Sequence, residues 1–328
     1  MSRIEDVAKL AGVSTATVSR VLNNTSNVSE DTRQKVMKAI EELDYTPSQF
    51  AKALAKKTRN YELGVITSER IENILNLQKD NYGIKNFYSI MLKGISDSAG
   101  ENGLNLRFNT FEKTDDDFLK TVDALIIIGG DSFTDTIQNS GLPTVLVDNY
   151  IPGKLLDCVI SNGFDGAYYA TEKFIKKGYK RVLHIHGSLN FFGFKNRYEG
   201  YCQAMEHYGL LPETLECDET SQNISYITDM AMKKKPDVIF ASNDPVAIMI
   251  LEHLKNKGVS VPQDVQIIGF DDIFFSSVVT PKLSTVKVFK YEMGSVAVNR
   301  IVDLLNNKNR HPSTISLFTE FVARETTK

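Results

Sequence analysis

Five short polar clusters punctuate the later part of the 328-residue chain: Thr67-Ser68, Asp148-Asn149, Arg197, Asn243-Asp244 and Asp271-Asp272. Together they offer carboxylates, a guanidinium fork, amides and hydroxyls. A sugar needs such a set, because each of its hydroxyls both donates and accepts a hydrogen bond, and a planar charged group can take two adjacent hydroxyls at once. Any one cluster alone reads as a turn or helix cap. What joins them is position, since each falls just after an apolar strand or at a helix start, where open α/β sheets hold ligands. No competing chemistry is visible: the chain has no nucleophile elbow, no P-loop and no HExxH pair. An enzyme is therefore not expected. His184 and His186 share one face of a strand, but no third ligand is near in sequence, so neither a metal nor another cofactor is expected. Phe191-Phe192-Gly193-Phe194, just before Arg197, reads either as cavity wall or as core.

The elements that must position these groups alternate. Leu63-Gly64-Val65-Ile66 is a buried strand, the stretch from Ile71 to Lys85 a long polar loop, and Phe87 to Glu101 a helix ending at Gly103. Strands then follow at Leu104 to Asn109, Ala124 to Ile128 and Thr144 to Val147. A second series begins near Val159-Ile160. It runs through Val182 to His186, a strand near Leu215 to Cys217, Val238 to Ala241 and Val265 to Ile268, with amphipathic helices between. Such alternation means β-α-β units and parallel sheet. The expected core is two doubly wound halves of periplasmic-binding-protein type, one of residues 60–160 plus 290–328 and one of residues 161–289. The last helix and the strands after it are expected to return to the first half.

The first 58 residues follow a different rule. Ile4, Val7, Ala8 and Ala11 make one apolar helix face, with Ser2 and Glu5 at capping-box spacing. Gly12 allows a sharp turn and Ser14 can cap a second helix, whose Val18, Val21 and Leu22 point inward. Thr15, Ala16, Ser19 and Arg20 stay on its outer face. Helix, glycine, helix is the geometry that offers a second helix to a DNA major groove. Ser29 starts a third helix to Leu43, ended by Tyr45-Thr46-Pro47. The run 48–57 is helix-prone but only about two and a half turns long, which is marginal in water unless docked.

Charge supports this division. The net charge is -3, yet residues 1–59 carry 10 Lys and Arg against 7 Asp and Glu, while the remainder carries 28 against 34. The basic excess accompanies the helix pair, as contact with phosphates requires. No apolar run approaches the ~18 residues of a membrane helix. The charged N-terminus has no signal core, and three scattered cysteines, Cys158, Cys202 and Cys217, give no disulfide framework. A cytoplasmic protein is expected.

Ile4 to Asn23, the run from Val28-Ser29 to Tyr45-Thr46-Pro47, and Ala51 to Ala55 resemble the head and hinge of the lactose-repressor/galactose-repressor (LacI/GalR) family, and the later strands resemble its effector core. The stretch Val13 to Val21 carries the resemblance most specifically. It implies a homodimeric transcriptional repressor that binds a near-palindromic operator. Thr15, Ala16 and Arg20 then occupy base-reading positions, and Arg20 suits a guanine edge. Ser14, Thr17, Ser19 and Asn23 suit phosphates. Leu54, between Ala53 and Ala55 in a hinge helix of residues 48–57, is implied to wedge between base pairs in the minor groove and bend the duplex. In the core of residues 59–328, Asp148, Arg197, Asn243 and Asp271 match effector-contacting positions, and Ser68, Phe87, Tyr88 and Ile160 are further lining candidates. Phe289-Lys290 stands where an aromatic wall is often placed.

The expected function is a sugar-responsive repressor released from DNA by an inducer, with a lean toward galactosides. The alternatives are a corepressor-dependent regulator that binds a purine or a phosphorylated carrier protein, a sugar-metabolising enzyme with an appended head, and a head that mediates protein contacts. The chain ends without apolar heptads, which favours a dimer over a tail-built tetramer.

Overall fold

The computed structural model describes residues 4–22, 28–43, 61–78, 80, 82–129, 135–217, 223–307 and 311–328. The chain divides near residue 60 into two compact units. The first holds α1 (Ile4–Ala11), α2 (Thr15–Leu22) and α3 (Glu30–Glu42). Val7, Ala8, Val18, Val21, Val36 and Ala39 form its own small core. Gly12, at φ +66°, makes the α1–α2 turn, and Val13 N–H donates to Ala8 O at 3.0 Å to close α1. The expected hinge, residues 48–57, lies outside the described residues.

The second unit opens with β1 (Glu62–Thr67), α4 (Glu69–Leu75), α5 (Ile84–Glu101), β2 (Asn105–Thr110), α6 (Asp116–Leu119), β3 (Ala124–Ile128), α7 (Asp135–Asn139), β4 (Thr144–Val147) and β5 (Asp157–Ser161). It continues through α8 (Gly163–Lys176), β6 (Val182–His186), α9 (Phe192–His207), β7 (Glu213–Glu216), α10 (Ile224–Lys233), β8 (Val238–Ala241), α11 (Asp244–Asn256) and β9 (Gln266–Asp271). It closes with β10 (Ser284–Lys287), α12 (Lys290–Asn306), β11 (Thr314–Leu317) and β12 (Glu320–Val322). Two six-stranded sheets result, in the orders β11-β5-β4-β3-β1-β2 and β12-β10-β9-β8-β6-β7. Every pairing is parallel except β10 with β12. Central strands such as β3, Ala-Leu-Ile-Ile-Ile, are buried throughout, because helices cover both faces of a parallel sheet.

Three glycines, Gly94, Gly200 and Gly294, let helices meet backbone to backbone. A Cβ on Gly94 of α5 would lie 2.1 Å from Tyr291 O of α12, and one on Gly200 of α9 would lie 2.1 Å from Phe164 O of α8. Each half of the core thus has one helix pair closer than any side chain permits.

Two expectations are corrected. The polar stretch after Ile71 is not all loop, since α4 runs to Leu75: Ser68 caps it, accepting from Ile71 N–H at 3.4 Å, and Glu69 and Glu72 sit favourably at its start. The chain end does not remain in the first half either. β11 joins the first sheet, but β12 crosses to the second, where Thr285 pairs with Val322 and Thr326 Oγ1 donates to Ile267 O. Residues 318–328 therefore build the second half, because the edge of β10 was still open there. Among the described residues no helix is long and apolar enough to cross a membrane.

Candidate functional site

A cavity of about 730 Å³, including its open mouth, lies between the two sheets of the core. Its walls bring together Asp148, Arg197, Asn243 and Asp271, four of the five residues singled out in the sequence, with Phe87, Tyr88, Asn149, Phe191, Phe192 and Phe194. Ser68 is not on the wall; its hydroxyl caps α4. Ile160 packs instead in the core on the far side of the first sheet. Phe289 is also absent from the wall; the Lys287 ammonium lies 5.0 Å from its ring centre.

The second half supplies a preassembled wall. Arg197, on α9, is 5% exposed. One of its terminal nitrogens donates to Asp271 Oδ1 at 2.8 Å, the other to Ser242 O, and its guanidinium lies 4.0 Å from the Phe270 ring centre. Its Nε has no partner. Asn243 Oδ1 accepts from Val246 N–H at 3.0 Å and caps α11, so this residue both starts a helix and faces the cavity. Its neighbour Asp244 turns away, accepting from Ser276 Oγ at 2.6 Å, Thr285 Oγ1 at 2.5 Å and Ile273 N–H at 2.9 Å. Burial, with the nearby Asp271 charge, pushes the Asp244 carboxyl up to about 7 against those three donors. Asp272 is likewise structural, bound by Arg324 at 2.6 Å.

The turn after β9 is strained. Asp271 and Asp272 have φ of 111° and 54°, a region that costs a non-glycine residue on the order of 1 kcal/mol or more and persists when surroundings enforce it. Lys290 does the enforcing. Its buried ammonium donates to Asp271 O, and to Asp272 O and Val288 O at 3.2 Å each.

The first half contributes less fixed chemistry. Asp148 follows β4 with φ 58°. Burial pushes its carboxyl up to about 7, opposed by Arg197 and Arg70 and reinforced by Asp271. Arg70, on α4, also lines the cavity, its guanidinium 4.6 Å from the Phe191 ring centre and 3.5 Å from Tyr88 Oη. Sequence reasoning missed Arg70 because α4 was read as loop. The signal was available in Ser68, the two glutamates, and Ile71, Ile74 and Leu75 at helical spacing. The Nδ1 atoms of His184 and His186 each bond a backbone carbonyl, and burial lowers His184 to about 3. Among the described residues no His, Cys, Asp and Glu cluster could hold a metal ion.

In the head, Ser14 Oγ accepts from Thr17 N–H at 3.1 Å and meets Thr17 Oγ1 at 2.9 Å, so it caps α2. Thr15 and Arg20 are exposed on that helix. Ala16 and Ser19 lie on it too, but their side chains, like Asn23, Ala53, Leu54 and Ala55, lie outside the described residues.

Residues 3–48 match the model of bacterial regulatory proteins of the lacI family, and residues 171–327 match that of periplasmic binding protein-like domains. The whole chain is 31% identical over 348 aligned positions to the HTH-type transcriptional repressor PurR of Vibrio campbellii, covering 99% of that protein. The chain belongs to the lacI family. It is a DNA-binding transcriptional repressor of that family and not an enzyme. A second relative, the probable HTH-type transcriptional repressor ExuR of Bacillus subtilis, is 29% identical over 100% of this chain and 99% of its own. The fold is similar to that of the transcriptional regulator CelR in its cellobiose complex, with TM-score 0.72 and 24% identity over 99% of this chain and 100% of that one. It is also similar to the lac repressor dimer bound to operator and the anti-inducer ONPF, with TM-score 0.69 and 24% identity over 99% of each chain.

Proposed function

We propose that this repressor is a homodimer controlled by a sugar-like polyol bound between the two halves of its core. The observation that supports it is the convergence of Asp148, Arg197, Asn243 and Asp271 on one cavity. Carboxylates, a guanidinium and an amide at one opening match the alternating donors and acceptors of vicinal hydroxyls. Ligand there favours one arrangement of the halves, and the hinge of residues 48–57, with Leu54 as its wedge, orders or melts in response. Coupling of ~1–3 kcal/mol changes operator affinity roughly 5–150-fold.

A planar base acting as corepressor is the second reading, favoured by Phe191 and Phe192 on one wall. The test uses an operator selected by the full-length protein from randomised near-palindromes. Its affinity is followed by fluorescence anisotropy against a panel of sugars, sugar acids and purine bases. Release by a sugar is the expected result. Tightening by a base would replace the first reading with the second, and no response to any compound would refute both.

A further inference from the structure

Among the described residues the chain passes between the two halves of the core three times, at residues 162, 288–289 and 318–319. The first and third passages are bonded to each other: Asn162 N–H donates to Leu317 O at 2.8 Å, and Thr319 Oγ1 donates to Asn162 O at 3.5 Å. The second is bonded to the cavity wall instead. Val288 N–H donates to Asp271 O at 3.3 Å, and Lys290, the first residue of α12, reaches back to the same turn.

Lys290 is a first-half residue whose cation is spent on the second half. α12 lies against β3, β4 and β5 of the first sheet. It is also locked to α5, since a Cβ on Gly94 would stand 2.1 Å from Tyr291 O and one on Gly294 would stand 2.3 Å from Met91 O. An ammonium has three N–H donors, and this one, on a side chain 4% exposed, meets three carbonyls: Asp271 O, Asp272 O and Val288 O. Phe289-Lys290, where an aromatic wall is often placed, therefore contributes a main-chain clamp and no ring to the cavity. The clamped turn is the one that presents Asp271 to Arg197 and to the cavity.

We propose that Lys290 is the joint between cavity and first half: a positioning residue that makes the Asp271 turn and the α12–α5 pair move as one unit, which rests on the reading that the cavity governs operator binding. Hydrogen-bond networks joined to rigid elements carry coupling between distant sites. With the clamp in place, a change at Asp271 shifts α12 and α5. Without it, the strained turn relaxes and absorbs the same change. A lysine that only held the turn's shape would add stability and transmit nothing.

A double-mutant cycle separates these roles without any effector. Affinity of the full-length protein for the selected operator is measured for the wild type, Lys290→Met, Asp271→Asn and the double variant, alongside the urea midpoint of each. Asp271→Asn is expected to change operator affinity fivefold or more in the wild-type background and less than twofold beside Lys290→Met, a non-additivity that reports their coupling. Lys290→Gln, which keeps two donors for the three carbonyls, should retain part of the change, and it stands in for Lys290→Met should that variant not fold. The same factor in both backgrounds, with only the urea midpoint lowered, would reduce Lys290 to a structural clamp and overturn the proposal. An Asp271→Asn effect below twofold in the wild type would overturn it too. The titration against the compound panel decides the effector reading separately, since a response there stands even when the cycle is additive.

Discussion

The two halves of the core are alike in backbone and unlike in chemistry. Each is a six-stranded sheet of nearly the same order, and each contains one helix pair in glycine-to-carbonyl contact. Yet the second half holds two buried polar clusters, Arg197 with Asp271 and Asp244 with Ser276 and Thr285, whereas the first offers Asp148 at a strand end and Arg70 on a seven-residue helix. Duplicated topology therefore does not divide the binding work equally. One half is built around a buried ion pair, and the other brings a strand-end carboxyl and a helix-borne guanidinium.

Arg197→Ala should break that contrast most severely. Its buried partner Asp271 would lose the guanidinium, a loss of about 3–5 kcal/mol, seen as a lowered urea midpoint together with lost effector response. Removal of the first-half cation, Arg70→Ala, should by contrast leave the midpoint within ~1 kcal/mol. Gly94→Ala and Gly200→Ala examine the shared backbone. Each forces a carbonyl contact apart and should cost about 1–3 kcal/mol, and a tolerated change in only one half would show that the helix pairs are not equivalent.

Ser68→Ala removes the cap of α4, at a cost of about 1 kcal/mol, and amide exchange should quicken at Ile71 more than anywhere in the second half. The smallest effect belongs to Asp148→Asn. A carboxyl whose folded pKa lies above its unfolded one stabilises the fold below about pH 4, and that contribution is lost as pH rises through about 7. Asp148→Asn should thus flatten the fall in thermal midpoint between pH 5 and 8, by on the order of 1 kcal/mol after solvent screening. An unchanged slope would assign the titration to Asp244 and return the two halves to parity.

Much of this arrangement is legible in the sequence because it is local. Apolar runs at strand spacing, followed by a polar pair, place Asp148, Asn243 and Asp271 at strand ends, and Arg197 follows the aromatic start of a helix. Within each pair, which residue faces the ligand is not local. Asp271 meets Arg197 while Asp272 meets Arg324, and Asn243 faces the cavity while Asp244 serves Ser276 and Thr285, residues more than thirty positions away. Arg70 stayed hidden because a helix as short as α4 has little intrinsic stability, so its apolar face, packed against the core, is what holds it. β12 is three residues long, and nothing in Glu320-Phe321-Val322 says which of two open sheet edges it will join.

The crossing of the chain end has a consequence for how the protein is made. The first sheet has no β11 edge until residue 317 has been added, and the second lacks β12 and the Thr326 contact until residue 326. Neither sheet can therefore be complete before these late segments have been made. The head, with a core contained within residues 7–39, can be complete long before. The head can thus form before the sheets of the core are complete, and a stop before residue 314 would remove both late strands while leaving every residue of the head's core in the chain.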